Sequence, residues 1–489
     1  MIKTKLLSIL LILSLLLTLG ACSSSKKKET TASPANFLLP FSGEDSTDPY
    51  ACKSDCNALL SELIYESLFV INEHRDPENL LAQNYIAEDK TITVTLKPTV
   101  FSDGSALTSD DVIYSYNRAK QSDRYKAALE IMDNVQAKGS SVVRFTLRSK
   151  NVYGVNALTF PIVSQKNNLL GSGYYALTEQ DGAHALIYNK NHEGDKPEFE
   201  TISLVECADE MHAIKLFNQD KIDFVFETLA DGNRRTTAIQ SQKAKLNNLL
   251  FLGLNSKKGL LNNADFRRAL TFSISQTALC EEALEGFAEP TATPFDASWS
   301  EMGSIVANTV SESKKEAKAA FLASGCTYDK MGINLLSEEK PITLTLLVNS
   351  ANNMKIALAE AVKTQLIGFG ISVEVKKMPL DEYNIAIENE NFDMYVGEVK
   401  IPNDFNLDCF FTSNGGADFG IDYSTVQKTY VQFRGGNATL QDFVSAFCEE
   451  NPLIPIGYKY ANVGLNAGLE TTGTMRENCV FPQIQEWSK

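Results

Sequence analysis

Apolar and polar residues alternate strictly from Thr91 to Leu96. Ile92, Val94 and Leu96 fall between Thr91, Thr93 and Thr95, the period of a strand buried on one face. Pro98 ends the run, and Phe101-Ser102-Asp103-Gly104 brings turn chemistry: an Asp that bonds its own backbone and a Gly free to take positive φ. Thr108 with Asp111 three residues on predicts a capping box, after which Val112, Tyr116 and Ala119 share one helix face. Val143, Phe145 and Leu147 alternate with Arg144, Thr146 and Arg148 as another two-faced strand, so the stretch reads as one antiparallel subdomain.

Elsewhere the period switches between two and 3.6. Ala58 to Val70 reads as a helix. Thr201 to Cys207 alternates as a strand, Asp209 caps a helix whose Ala213, Ile214 and Phe217 share a face, and Ile222 to Phe226 is a second strand, giving a βαβ order. Ile342, Leu344 and Leu346 predict a strand, and Met354, Leu358, Val362, Leu366 and Phe369 repeat at helical spacing up to a stop at Gly370. Ile371 to Val375, Leu380 to Ile387 and Phe392 to Val396 complete a βαβαβ region, which implies parallel strands. The reading is α/β in two regions.

Length and charge narrow this picture. A chain of 489 residues exceeds what one hydrophobic core supports, so two or more lobes are expected. Lys3 and Lys5 precede an apolar run from Leu6 to Leu19, within signal-peptide range and short for a membrane span. Leu19-Gly20-Ala21-Cys22 resembles a bacterial lipobox, with cleavage after residue 21 and a lipid on Cys22. Residues 22–33 then read as a polar, flexible tether, roughly 35 Å long if extended. From Cys22 on, 43 basic residues face 61 acidic ones, a net charge of −18 that argues against nucleic acid as a partner.

The eight further cysteines permit disulfides outside the cytoplasm. Cys52 with Cys56 is the pair favoured by spacing alone, and buried free thiols are the competing reading. The four histidines form no H-E-x-x-H pair, so no metal site is expected and no cofactor is implied. Ser311-Glu312-Ser313-Lys314 matches S-x-x-K, as do the tether serines, without the partner motifs of a serine nucleophile. Gly171-Ser172-Gly173-Tyr174-Tyr175-Ala176 fits a loose dinucleotide pattern, but another strand follows it where a helix is required. No nucleophile is paired with a base, so nothing in the chain argues for an enzyme.

Asp103-Gly104-Ser105-Ala106-Leu107-Thr108-Ser109-Asp110-Asp111-Val112 resembles the turn and helix start of the extracellular solute-binding proteins of the peptide/nickel family, which feed ABC transporters. Further likenesses fall in order: Thr47-Asp48-Pro49, Leu63 to Leu68, the Gly171 to Ala176 turn, Leu250 to Asn255, Phe266 to Leu270 and Ile454 to Tyr458. The resemblance implies a two-lobed periplasmic-binding-protein-like fold of the cluster C type, with lobe I discontinuous and carrying the antiparallel subdomain. Residues 34–252 and 458–489 would form lobe I and residues 253–457 lobe II.

It also implies a function and a site. The chain would be the lipid-anchored solute-binding component of an ABC importer on the outer face of the cell membrane, delivering oligopeptides to permease subunits. Metal chelates and oligosaccharides are alternative ligands; a sensory or scaffold lipoprotein and a lipoprotein enzyme are alternative roles. In the family an aspartate in a tryptophan-containing loop binds the peptide's ammonium. The matching run, Asp393 to Phe411, is shorter, lacks the tryptophan and places Lys400 near where an acid is usual. Asp404 is the first candidate for the ammonium and Glu398 the second, with Lys400 selecting carboxylates and Asn403, Asp45 and Tyr458 as further cleft residues.

Overall fold

The computed structural model describes residues 36–489 apart from 181, 238–239, 306–311, 414 and 423–424. The signal segment, the tether, Cys22 and Ser311 therefore lie outside the described residues. In chain order the elements that place the site begin with β1 (Phe37–Phe41), α1 (Asp55–Ile64), β2 (Ala82–Glu88), β3 (Thr91–Leu96), α2 (Ser109–Ala119), β4 (Met132–Ala137) and β5 (Val142–Leu147). Then come β6 (Tyr175–Gln180), β7 (Ala183–Tyr188), β8 (Thr201–Glu206), α3 (Glu210–Phe217), β9 (Phe224–Glu227) and β10 (Gln240–Leu254). The chain continues through β11 (Thr343–Asn349), α4 (Asn353–Ile367), β12 (Ser372–Met378), α5 (Leu380–Glu388), β13 (Met394–Lys400) and β14 (Leu453–Leu465).

The alternation in β3 does what its period requires. Ile92, Val94 and Leu96 are buried, and β3 lies antiparallel between β2 and β5, with β4 beyond β5. Asp111 accepts from the Thr108 backbone N–H at 2.9 Å, so the capping box forms, and Val112, Tyr116 and Ala119 pack on Phe145 and Val94 in one core. The antiparallel subdomain is this four-stranded sheet with α2 on it. Its helix start and its strands agree because both bury the same apolar set.

A second four-stranded sheet has the order β1-β8-β7-β6. A seven-stranded sheet runs β9-β14-β10-β13-β11-β12, with Ala288–Pro290 also paired to β14. Parallel pairing of β11 with β12 and with β13 agrees with the βαβαβ reading, and Leu358, Val362 and Leu366 of α4 are fully buried against it. The βαβ order at 201–226 holds in sequence but not in space. Strand β9 pairs antiparallel with β14 in the seven-stranded sheet, while β8 belongs to the other one, so α3 links two sheets.

The helix expected over 58–70 is shifted. It starts at Asp55, capped by the Ser54 hydroxyl, and stops at Ile64; Phe69–Ile71 is a strand. The run Leu68-Phe69-Val70-Ile71 is apolar at every position, and periodicity alone does not separate such a run from a helix.

Among the described residues strands β10 and β14 are the longest, 15 and 13 residues, and pair antiparallel almost throughout. At one end β14 meets β9, and at the other β10 meets β13. Residues from Leu250 and from Ile454, where the family resemblance set the passage between lobes, lie inside these two strands.

None of the eight cysteines is in a disulfide. Cys52 is a free thiol, and so is Cys56. Its neighbour is Cys207, with the two sulfurs 3.3 Å apart in a buried core beside α3, because α1 packs its N-terminal turn on the end of β8.

Candidate ligand-binding site

The site is built where the β10–β14 pairing slips. Lys245 opposes Tyr460 and Leu249 opposes Tyr458, so residues 246–248 of β10 face only Lys459 of β14. A bulge of this kind breaks the ladder and re-aims side chains. Within this stretch the Asn248 amide donates to Glu398 Oε1 of the neighbouring β13 at 2.7 Å, and Lys459 Nζ reaches the same oxygen at 3.1 Å. Lys355, from the first turn of α4, holds Glu398 Oε2 at 2.8 Å. Asn352 caps that helix by accepting from the Lys355 backbone N–H at 2.9 Å, and its own amide donates to Ala230 O at 2.8 Å. Burial pushes the Glu398 carboxyl up, but the two ammonium groups outweigh it and hold it at about 2. The three side chains therefore carry one net positive charge.

Asn248, Glu398 and Lys459 line a cavity of about 510 Å³, within the range of small-molecule sites. The end of α1 forms another part of its wall. Glu62 stands in the last turn of α1 and Glu66 just past its C-cap, Tyr65. Glu62 Oε2 accepts from Val480 N at 2.6 Å, and burial pushes its carboxyl up to about 7. Burial also raises Glu66, against the pull of His192 and Lys97. Neither acid has a cationic partner in an ion pair among the described residues. The other lining acids do: Asp55 meets Arg124 at 3.2 Å, and Glu477 pairs with Lys400 while accepting from Asn247 N at 2.9 Å.

Gly171 and Gly173 serve this wall, not a phosphate. A Cβ on Gly171 would lie 2.0 Å from Ile64 O and one on Gly173 2.6 Å from Leu63 O, and Gly173 N donates to Ile64 O at 2.9 Å. The G-x-G spacing lets the loop close against the C-terminal carbonyls of α1. Beyond it the Tyr174 ring lies 3.9 Å from that of His192, and both line the cavity. A second cavity of about 470 Å³ shares Asp55, Leu59 and Phe226 with the first.

Of the residues singled out from the sequence, Glu398 alone lines the first cavity. Asp404 is 2% exposed; its Oδ2 accepts from Arg434 at 2.6 Å and from Asn151 at 3.0 Å, so its charge is already neutralised by the protein. Asn403 Oδ1 accepts from Asn247 at 2.9 Å, and its carbonyl accepts from the Asn156 amide at 3.0 Å, which ties the 401–405 loop to the 151–156 segment. Lys400 is well exposed and pairs with Glu477. Asp45 accepts from the backbone N–H groups of Lys53 and Ser54, both at 2.7 Å, ahead of α1, and lines the second cavity. Tyr458 is buried among aromatic side chains and donates to Pro294 O at 2.9 Å. Lys355, Lys459, Asn248 and Glu62 were not foreseen. Glu66 falls inside the Leu63 to Leu68 run, whose resemblance points to a helix end, and Lys459 is the residue after Tyr458.

The paired strands β10 and β14 run through the seven-stranded sheet, and a charged cavity lies beside the slip in their pairing. The chain belongs to family 5 of the bacterial extracellular solute-binding proteins, whose profile ("Bacterial extracellular solute-binding proteins, family 5 Middle") matches residues 76–417. The oligopeptide-binding protein AppA of Bacillus subtilis (strain 168) is 24% identical over 432 residues, 80% of this chain and 78% of AppA. The nickel-binding protein NikA of Staphylococcus aureus is 24% identical over 306 residues, 58% of this chain and 59% of NikA. Among solved structures, the murein tripeptide binding protein MppA in its unliganded open form has a TM-score of 0.72 at 18% identity, over 93% of this chain and 97% of that one. NikA from Brucella suis in complex with Fe(III)-EDTA has a TM-score of 0.69 at 16% identity, over 93% and 99%. The family and the two-lobed α/β fold expected from the sequence are thus both found.

Proposed function

We propose that this protein is the solute-binding component of an ABC importer, holding an oligopeptide in the cavity between the end of α1 and the Glu398 cluster and delivering it to permease subunits. The observation that carries this reading is that cavity, small-molecule in size and charged at two places, in a family member whose similarity to an oligopeptide-binding protein spans most of the chain. Cys22 would hold the protein to the outer face of the membrane by its lipid. Residues 34–252 with 458–489, and residues 253–457, are the lobes that would close on the ligand, moving about β10 and β14. Among the described residues no three His, Cys, Asp or Glu side chains converge as metal ligands, so a metal would have to arrive already chelated.

Mass spectrometry of the ligand retained after purification in mild detergent tests the reading. Short peptides are expected. A retained chelate or oligosaccharide would overturn the peptide assignment, and turnover of a solute without any permease would overturn the binding role.

A further inference from the structure

We propose that the cavity takes a zwitterion end to end: a ligand ammonium at Glu66 and Glu62 beside the end of α1, and a ligand carboxylate at the Lys355–Glu398–Lys459 cluster. This rests on the peptide reading above and assigns the two poles of the bound molecule.

The charged groups around this one cavity do not cancel at its two ends. Asp55 is balanced by Arg124 and Glu477 by Lys400, so these pairs offer a ligand no net charge. Glu398 faces two lysines, which leaves one positive charge in excess; Lys459 is only 6% exposed and its surplus is not dispersed into water. Glu62 and Glu66 are the reverse. They lie at the C-terminal end of a ten-residue helix, where the backbone carbonyls already make the potential negative, and burial raises both carboxyls. An anion in that place is unfavourable until a cation arrives, and an ammonium is what the helix end and the two acids would all stabilise. His192 is the titratable group from another element that faces Glu66, and Arg476 the cation nearest in effect to Glu62.

Other ligand classes fit worse. A simple cation would meet Lys459, a simple anion would meet Glu66, and a neutral sugar would leave both excess charges without a counter-charge. The same count removes Asp404 as the ammonium partner, since Arg434 already neutralises it. The ammonium end is thereby moved from the 401–405 loop to the helix that follows β1.

Equilibrium dialysis of the processed, detergent-solubilised protein against a random tripeptide pool, in free, N-acetylated and C-amidated forms, tests this with mass-spectrometric counting. The free pool should be retained at least tenfold better than either blocked pool. Glu66→Gln should abolish the preference for free over acetylated peptides and keep the preference over amidated ones. Lys459→Met should do the opposite, with Lys355→Met as the second variant should Lys459→Met fail to fold. Equal retention of free and acetylated pools by the wild type would overturn the ammonium pole while leaving peptide binding standing. Retention of none of the three pools would overturn the peptide reading and this inference with it.

Discussion

Arg434 Nη2 lies 2.6 Å from Asp404 Oδ2, with the acid buried and the guanidinium mostly covered where the 401–405 loop meets the helix Thr425–Arg434. Asn151 completes the shell of the carboxylate at 3.0 Å, and the Trp299 and Phe405 rings stack beside it at 3.9 Å. Removing the acid leaves a guanidinium buried without its counter-charge. Asp404→Ala should therefore destabilise the fold by about 3–5 kcal/mol, measured by urea unfolding. A stability loss under 1 kcal/mol with a selective loss of free-amine peptides would return Asp404 to the ligand site.

Glu62 should set a pH dependence of stability. Its carboxyl titrates at about 7 in the folded protein, above the ordinary value of 4.5. Between those values the unfolded chain ionises first, so stability falls as pH rises through the window and the loss is complete above it. Glu62→Gln keeps an acceptor for Val480 N and removes the charge. The variant should match the wild type at pH 4 and exceed it at pH 8, by up to about 3 kcal/mol; a difference independent of pH would refute the assignment.

The sulfurs of Cys56 and Cys207 adjoin across 151 residues of chain. Diamide, which takes up two protons and two electrons as a pair of thiols becomes a disulfide, should join these two cysteines ahead of any other pair. Peptide mapping without reduction reads the outcome. A bridge between Cys52 and Cys56 would contradict the packing of α1 on β8.

Gly171→Ala places a methyl group where the Ile64 carbonyl already stands. The loop must then draw away from α1, with a destabilisation of about 1–3 kcal/mol in thermal or urea unfolding. An unchanged midpoint would mean that the loop does not depend on this close approach.

Cys22→Ser should leave the chain uncleaved or release it from the membrane fraction, since the sulfur is the expected point of lipid attachment. Normal processing with continued partitioning of the variant into detergent would refute the anchor.

The local devices of this protein were set by residues close in sequence. The alternation of β3, the Thr108–Asp111 capping box and the helical repeat of α4 each satisfy backbone and burial demands within a few residues, so their periods were readable directly. So were the family motifs. What the tertiary structure alone decided was which charges meet. Glu398 acquires Asn248 from 150 residues earlier and Lys459 from 61 later, because the sheet sets β10 between β13 and β14 and so brings side chains of all three strands together. Asp404, the acid that the loop's position in sequence favoured, is claimed by Arg434 through helix packing of the Thr425–Arg434 segment. That Glu62 and Glu66 have no ion-pair partner among the described residues has the same origin: a charge's partner depends on distance in space, which local periodicity does not encode.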